Sequence, residues 1–179
     1  MAFLFVGTVH AEFKDIRQDR AEIRKATSAG ERKEARTELR EDIQKRRDVM
    51  KKDIEAKRME FKTKVVKIKD EKKKLIVEKL DARFNEINAK RTAQMTKHLD
   101  KMSEILAKVT GDTASASSAI QTARDAVTAQ AAKTYVITIS TEANLKMDVG
   151  KVRSQLEADL KSVNELVIAA RKAVQSLLK

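Results

Sequence analysis

No cysteine and no proline occur among the 179 residues, glycine appears four times, and aromatic residues make up 3% of the chain. Without cysteine there is no disulfide, no thiolate ligand for zinc and no thiol nucleophile. Average proline usage of about 5% would put about nine prolines here, so their absence argues against a loop-rich chain. The shortage of aromatics leaves little large apolar material for a globular core. Glycine too is missing from residues 31–109, a stretch of charged residues carrying a thin line of apolar ones. Nothing in it removes a backbone donor or relaxes the chain, which predicts one very long helix, about 118 Å at roughly 1.5 Å per residue.

What the chain has instead is charge: 37% of its residues, with a formal net charge of +12. Residues 12–109 hold 30 Lys and Arg against 20 Asp and Glu, whereas residues 110–179 hold 9 against 7. The excess is densest in residues 45–74, with 14 basic and 6 acidic side chains. Such a stripe attracts phosphate, anionic lipid or acidic glycopolymer, or else it is a solvated helix face. The candidates for a diffuse polyanion contact are Lys51, Lys52, Lys57, Arg58, Lys62, Lys64, Lys67, Lys69, Lys72, Lys73 and Lys74.

Residues 1–11 are apolar, carry no Lys, Arg, Asp or Glu, and end Val9-His10-Ala11 before Glu12. Small residues at the last and third-last positions are what signal peptidase reads, so this stretch is expected to be a signal-peptide remnant and the mature chain to be exported. No later run approaches the roughly 20 apolar residues that cross a bilayer, so no span is expected in the mature chain. Residues 12–29 are expected to form a short amphipathic helix with Phe13, Ile16 and Ile23 on one side, and Ser28 with Glu31 fits a capping box that would open the long helix.

Two apolar series then recur every eleven residues: Leu39, Met50 and Phe61, and Ile43, Ile54, Val65, Ile76 and Ile87. Eleven residues over three turns make a nearly straight or right-handed seam. Two apolar positions per eleven are too few for a strong coiled coil, so residues 30–79 are expected to form a basic helical arm. That arm either pairs weakly with a second copy through Ile43, Met50, Ile54, Phe61 and Val65 or packs on Phe13, Ile16 and Ile23. Pairs such as Glu60/Lys64 and Asp70/Lys74 support it by about 0.2–0.5 kcal/mol each.

From Leu80 the stripe thickens through Phe84, Ile87, Met95, Leu99, Met102, Leu106 and Val109. Thr110-Gly111-Asp112-Thr113 stops that helix, and an alanine-rich helix follows over residues 114–133, with Ile120, Ala123, Val127 and Ala131 on one side. Tyr135-Val136-Ile137-Thr138-Ile139 has strand character but no partner strand, and reads as an extended connector lying on the helices. Val149, Val152, Leu156, Leu160, Val163, Val167, Ala170, Val174 and Leu177 mark the last helix, over residues 148–178. The expected fold is all-α: an elongated antiparallel three-helix bundle over residues 80–179, with one very long helix projecting as a charged coiled-coil arm.

Catalysis requires groups that converge. His98 has no second His or Cys near it, and the adjacent acids Glu41/Asp42 and Asp70/Glu71 sit in a charge-laced helix, whereas a catalytic carboxylate needs a desolvated setting. No catalytic, cofactor-binding or metal-ligating residue is expected, and an enzyme is not expected.

The run Phe84-Asn-Glu-Ile-Asn-Ala-Lys-Arg-Thr-Ala-Gln-Met-Thr-Lys-His-Leu-Asp-Lys-Met-Ser-Glu-Ile-Leu106, followed by Ala126-Val-Thr-Ala-Gln-Ala-Ala-Lys-Thr-Tyr-Val-Ile-Thr-Ile139, resembles uncharacterised exported helical coiled-coil proteins of reduced-genome bacterial lineages. That resemblance implies export and a helical fold, and no activity. In composition the chain also resembles the Skp-type periplasmic holdase chaperones, which are small, basic and built from helical arms. Their small β-base uses strands near both termini, whereas only residues 135–139 have strand character here.

Three functions compete. The first is a structural or interaction protein of the cell envelope whose basic arm is a spacer or polyanion contact. The second is a nucleic-acid or polyanion binder using the same stripe. The third is a holdase, for which Met50, Phe61 and Val65 are a small apolar supply.

Overall fold

A computed structural model of the chain describes residues 29–178, and among them the regular structure is helical with no strand. The order is α1 (Ala29–Val65), α2 (Glu71–Leu106), α3 (Ala114–Ala132), a 3-10 turn (Glu142–Asn144) and α4 (Leu145–Ser176). The signal-like residues 1–11, the apolar positions Phe13, Ile16 and Ile23, and the cap Ser28 lie outside the described residues, as do the side chains of Leu39 and Ile43. The chain divides into two compact units, Met1–Glu55 and Ala56–Lys179, and α1 contributes residues to both. In the first unit the α1 side chains of Val49 and Met50 are exposed.

The single long helix expected over residues 31–109 is two helices. α1 stops at Val65 and the chain turns through residues 66–70. No glycine or proline makes this break. Val65, Val66 and Ile68 are β-branched and hold a helix weakly, and the last turn tightens to three-residue spacing, with Lys67 N–H donating to Lys64 C=O at 3.1 Å and Ile68 N–H to Val65 C=O at 3.2 Å. Asp70 then restarts the chain as the N-cap of α2, its Oδ1 accepting from the N–H groups of Lys72 at 3.0 Å and Lys73 at 3.1 Å. The carboxylate of Glu142 takes the N–H of Lys69 at 3.1 Å and of Asp70 at 3.4 Å, so donors exposed by the break find partners across the fold.

The turn changes where the arm ends. Phe61, Val65, Ile68 and Val77, all within the stretch read as a basic helical arm, are buried with Phe84, Tyr135, Ile137, Ile139, Leu145 and Leu156. Residues 56–79 therefore belong to the same unit as α2, α3 and α4. The eleven-residue seam fails at the same place: Val65 is buried and Ile76 is exposed, because α2 starts with a new rotation after the turn. Phe61 and Val65, expected either at a weak seam with a second copy or against Phe13, Ile16 and Ile23, are buried in the core of the second unit.

Helices α2, α3 and α4 each pack against the other two. α2 turns inward a line stepping by three and four residues: Val77, Asp81, Phe84, Asn88, Thr92, Met95, Leu99 and Met102. Its second half packs with Ala116, Ile120, Ala123 and Val127 of α3 and with Val163, Val167, Ala170 and Val174 of α4. Alanine at the α3 positions permits close approach of the helices. Leu106 is the last helical residue of α2, followed by a turn in which Gly111 takes a φ of 117°, a conformation that side chains disfavour. Asp112 Oδ1 then accepts from Ala114 N–H at 2.9 Å as α3 begins.

Chain length explains the connector. α2 rises about 54 Å over its 36 residues, whereas the 19 residues of α3 return only about 28 Å. Eight extended residues, 133–140, supply roughly 26 Å more at about 3.3 Å each. The return is thus half helix and half extended chain, as expected of residues 135–139, and Tyr135, Ile137 and Ile139 turn inward in its second half.

Candidate functional site

The basic corner between α1 and α2 rests on a polar scaffold under the extended connector. Asn85 of α2 behaves toward Tyr135 as a neighbouring strand would: its Oδ1 accepts from Tyr135 N–H at 2.9 Å and its Nδ2 donates to Tyr135 C=O at 2.8 Å. One turn earlier, Asp81 Oδ1 accepts from Ile137 N–H at 3.0 Å, and one turn later Asn88 Nδ2 donates to Lys133 C=O at 3.1 Å and Gln130 C=O at 2.9 Å. Helix steps of three or four residues advance about 4.5–6 Å, and two extended residues about 6.6 Å, so three side chains of one helix face keep register with alternate residues of the connector. The connector needs no partner strand because α2 supplies one in side chains.

Two charged groups complete the scaffold. Asp81 is 3% exposed and pairs with the guanidinium of Arg58, which ties the last turns of α1 to α2. Asp148 accepts from both the N–H and the hydroxyl of Ser140 at 2.7 Å, fixing the far end of the connector. Between them, Tyr135 donates its hydroxyl to Asp159 at 2.7 Å and accepts from Gln130 Nε2 at 2.6 Å, while Lys133 lies 2.9 Å from the same carboxylate. Burial, and then the hydrogen bond to Asp159, push the phenol well above its ordinary value of 10, so it stays protonated. Among the described residues no buried side-chain polar atom lacks a partner.

The eleven residues read as a polyanion contact do not share one role. Lys51 and Lys52 are exposed on the part of α1 in the first unit, and Lys57 is exposed in the second. Arg58 is removed from the set by its pairing with buried Asp81. Lys64 sits 2.6 Å from Glu60, the spacing expected of that pair, and Lys74 lies 3.7 Å from Glu71. The expected Asp70/Lys74 pair gives way to capping by Asp70, and Lys73 lies 3.7 Å from Asp70 and 3.8 Å from Glu142. Lys62, Lys67, Lys69 and Lys72 are exposed, and no carboxylate stands within 4 Å of their ammonium groups among the described residues. The corner therefore gathers four unneutralised lysines on backbone held by Asp70 and Glu142.

The side chains that matter most to this scaffold, Asp81, Asn85, Asn88, Gln130 and Asp148, escape a reading that assigns polar residues to solvent. Their signal was spacing: Asp81, Asn88 and Thr92 fall in line with Val77, Phe84 and Met95 at core positions. His98 is exposed, and among the described residues no three His, Cys, Asp or Glu side chains are grouped to hold a metal. No helix among those residues is long and apolar enough to cross a membrane. Comparison with protein-family models, with curated proteins and with solved structures gave no match.

Proposed function

We propose that this chain is a non-enzymatic interaction protein of the cell envelope: a three-helix bundle bearing a basic helical stretch, with α1 as spacer and the α1–α2 corner as the contact for a polyanion. The observation that carries this reading is the exposure of Lys62, Lys67, Lys69 and Lys72 without acidic partners on a corner tied down by Arg58, Asp70 and Glu142. Backbone held by internal bonds presents these lysines without a further backbone ordering cost, which favours a contact over a solvated face. The envelope assignment rests on the signal-like residues 1–11.

Single-stranded nucleic-acid binding through base stacking is poorly supported, since Phe61, the stripe's only aromatic residue, is buried and gives bases no stacking surface. Burial of Phe61 and Val65 likewise takes from a holdase reading two of its three apolar contacts. Binding to duplex DNA, used as a polyanion of known charge spacing, tests the proposal. Affinity should fall linearly on a log–log plot against salt, and replacing Lys67, Lys69 and Lys72 together by Gln should flatten the slope by up to about 2.7. No measurable binding at about 50 mM salt would mean that the corner is only a solvated face.

A further inference from the structure

The exposed face of α2 next to the corner carries more than charge. Lys72, Leu75, Ile76, Lys79 and Arg83 recur at three- and four-residue steps on the side of α2 opposite its buried line, and all five are exposed. Leu75 is 51% and Ile76 55% exposed, and Val66 in the turn just before is 70% exposed. Residues 62–79 hold eight lysines against three acids, and two of those acids are engaged by lysines, Asp70 with Lys73 and Glu71 with Lys74. Arg83 is itself held by Glu86 at 3.0 Å, so the working charge on this face is lysine.

We infer that the polyanion met by this corner is an anionic lipid surface, on which the first turns of α2 lie with Leu75 and Ile76 entering the boundary between headgroups and acyl chains. The inference rests on the polyanion reading above and adds the identity of the partner. A phosphate backbone has no use for three branched apolar side chains, which would stay wetted in such a complex. At a bilayer the same residues leave water while Lys67, Lys69, Lys72 and Lys79 lay their methylene stems along the boundary and reach the headgroups. Lysine attracted to anionic lipid and apolar residues at helical spacing are the two components of interfacial binding, and both occur here within 14 residues.

The chain has no tryptophan, so Ile76→Trp places a single reporter on the face. In the full-length protein its emission should shift to the blue with vesicles of phosphatidylglycerol in phosphatidylcholine, and should not shift with phosphatidylcholine alone or with duplex DNA. Leu75→Ser with Ile76→Ser should weaken binding to the anionic vesicles roughly tenfold or more while leaving DNA binding unchanged, with helicity retained because both sites are exposed. Vesicle binding without a blue shift, indifferent to the double substitution and matched by DNA, would overturn the lipid assignment and leave the polyanion reading standing. Binding to neither vesicles nor DNA at low salt overturns both.

Discussion

Asn85→Ala removes the side chain that stands in for a β-strand. Asn85 makes three hydrogen bonds, at 2.8, 2.8 and 2.9 Å, two of them to the backbone of Tyr135. The third, to Asp81 C=O, is dispensable because that carbonyl lies inside α2, where the helix supplies its own donor. Truncation leaves the N–H and C=O of Tyr135 without partners at a residue 4% exposed. Each unsatisfied buried group costs about 1–3 kcal/mol, and the partial exposure of Asn85 lets water recover some of this, so the expected loss is about 2–4 kcal/mol. Urea unfolding followed by circular dichroism measures it, with Gln94→Ala on the exposed face of α2 as a control expected within about 0.5 kcal/mol. Amide exchange locates it: Tyr135 should lose protection before Ile137, which Asp81 still holds. A loss below about 0.5 kcal/mol with Tyr135 protection intact would refute the claim that α2 side chains hold the connector.

Leu99 is fully buried where α2, α3 and α4 meet, and Leu99→Ala should cost about 2–5 kcal/mol in the same unfolding assay. A fragment of residues 56–179 should melt cooperatively, whereas residues 80–179 should melt lower or without cooperativity, because they lack Phe61, Val65, Ile68 and Val77 and leave buried Asp81 without Arg58. Tyr135 is the only tyrosine, so ultraviolet absorbance follows its ionisation alone. Its folded value is raised, so above about pH 10 the unfolded chain releases a proton that the folded chain keeps. Stability is therefore full below that pH and falls as pH rises above it, and phenolate should appear only together with loss of helicity.

The helices were legible where apolar residues repeat at three and four, as in Met95, Leu99 and Met102 or Val163, Val167 and Val174, because burial of a continuous stripe dominates local choice. The connector was legible too, since a β-branched run between helices without a partner strand has to lie on them. The turn at residues 66–70 was not, because no breaker marks it. It depends on Asp70 finding the N–H groups of the next helix and on Glu142, more than seventy residues away, accepting those of Lys69 and Asp70. Missing that turn also hid the burial of Phe61 and the different fates of the basic residues. Arg58 looks like its neighbours in sequence, and only the fold sets Asp81 beside it.

The localisation of charge is tested most directly by two triple substitutions that remove the same three charges from different places. One replaces Lys67, Lys69 and Lys72 of the corner by Gln; the other replaces Lys97, Lys101 and Lys108, exposed toward and beyond the far end of α2. Salt-dependent binding of the full chain to duplex DNA is measured for both. A localised contact predicts that the corner triple lowers affinity and flattens the salt slope by up to about 2.7, while the distal triple keeps the wild-type slope. Equal losses from the two triples would contradict it, reducing the corner to its share of a net charge of +12.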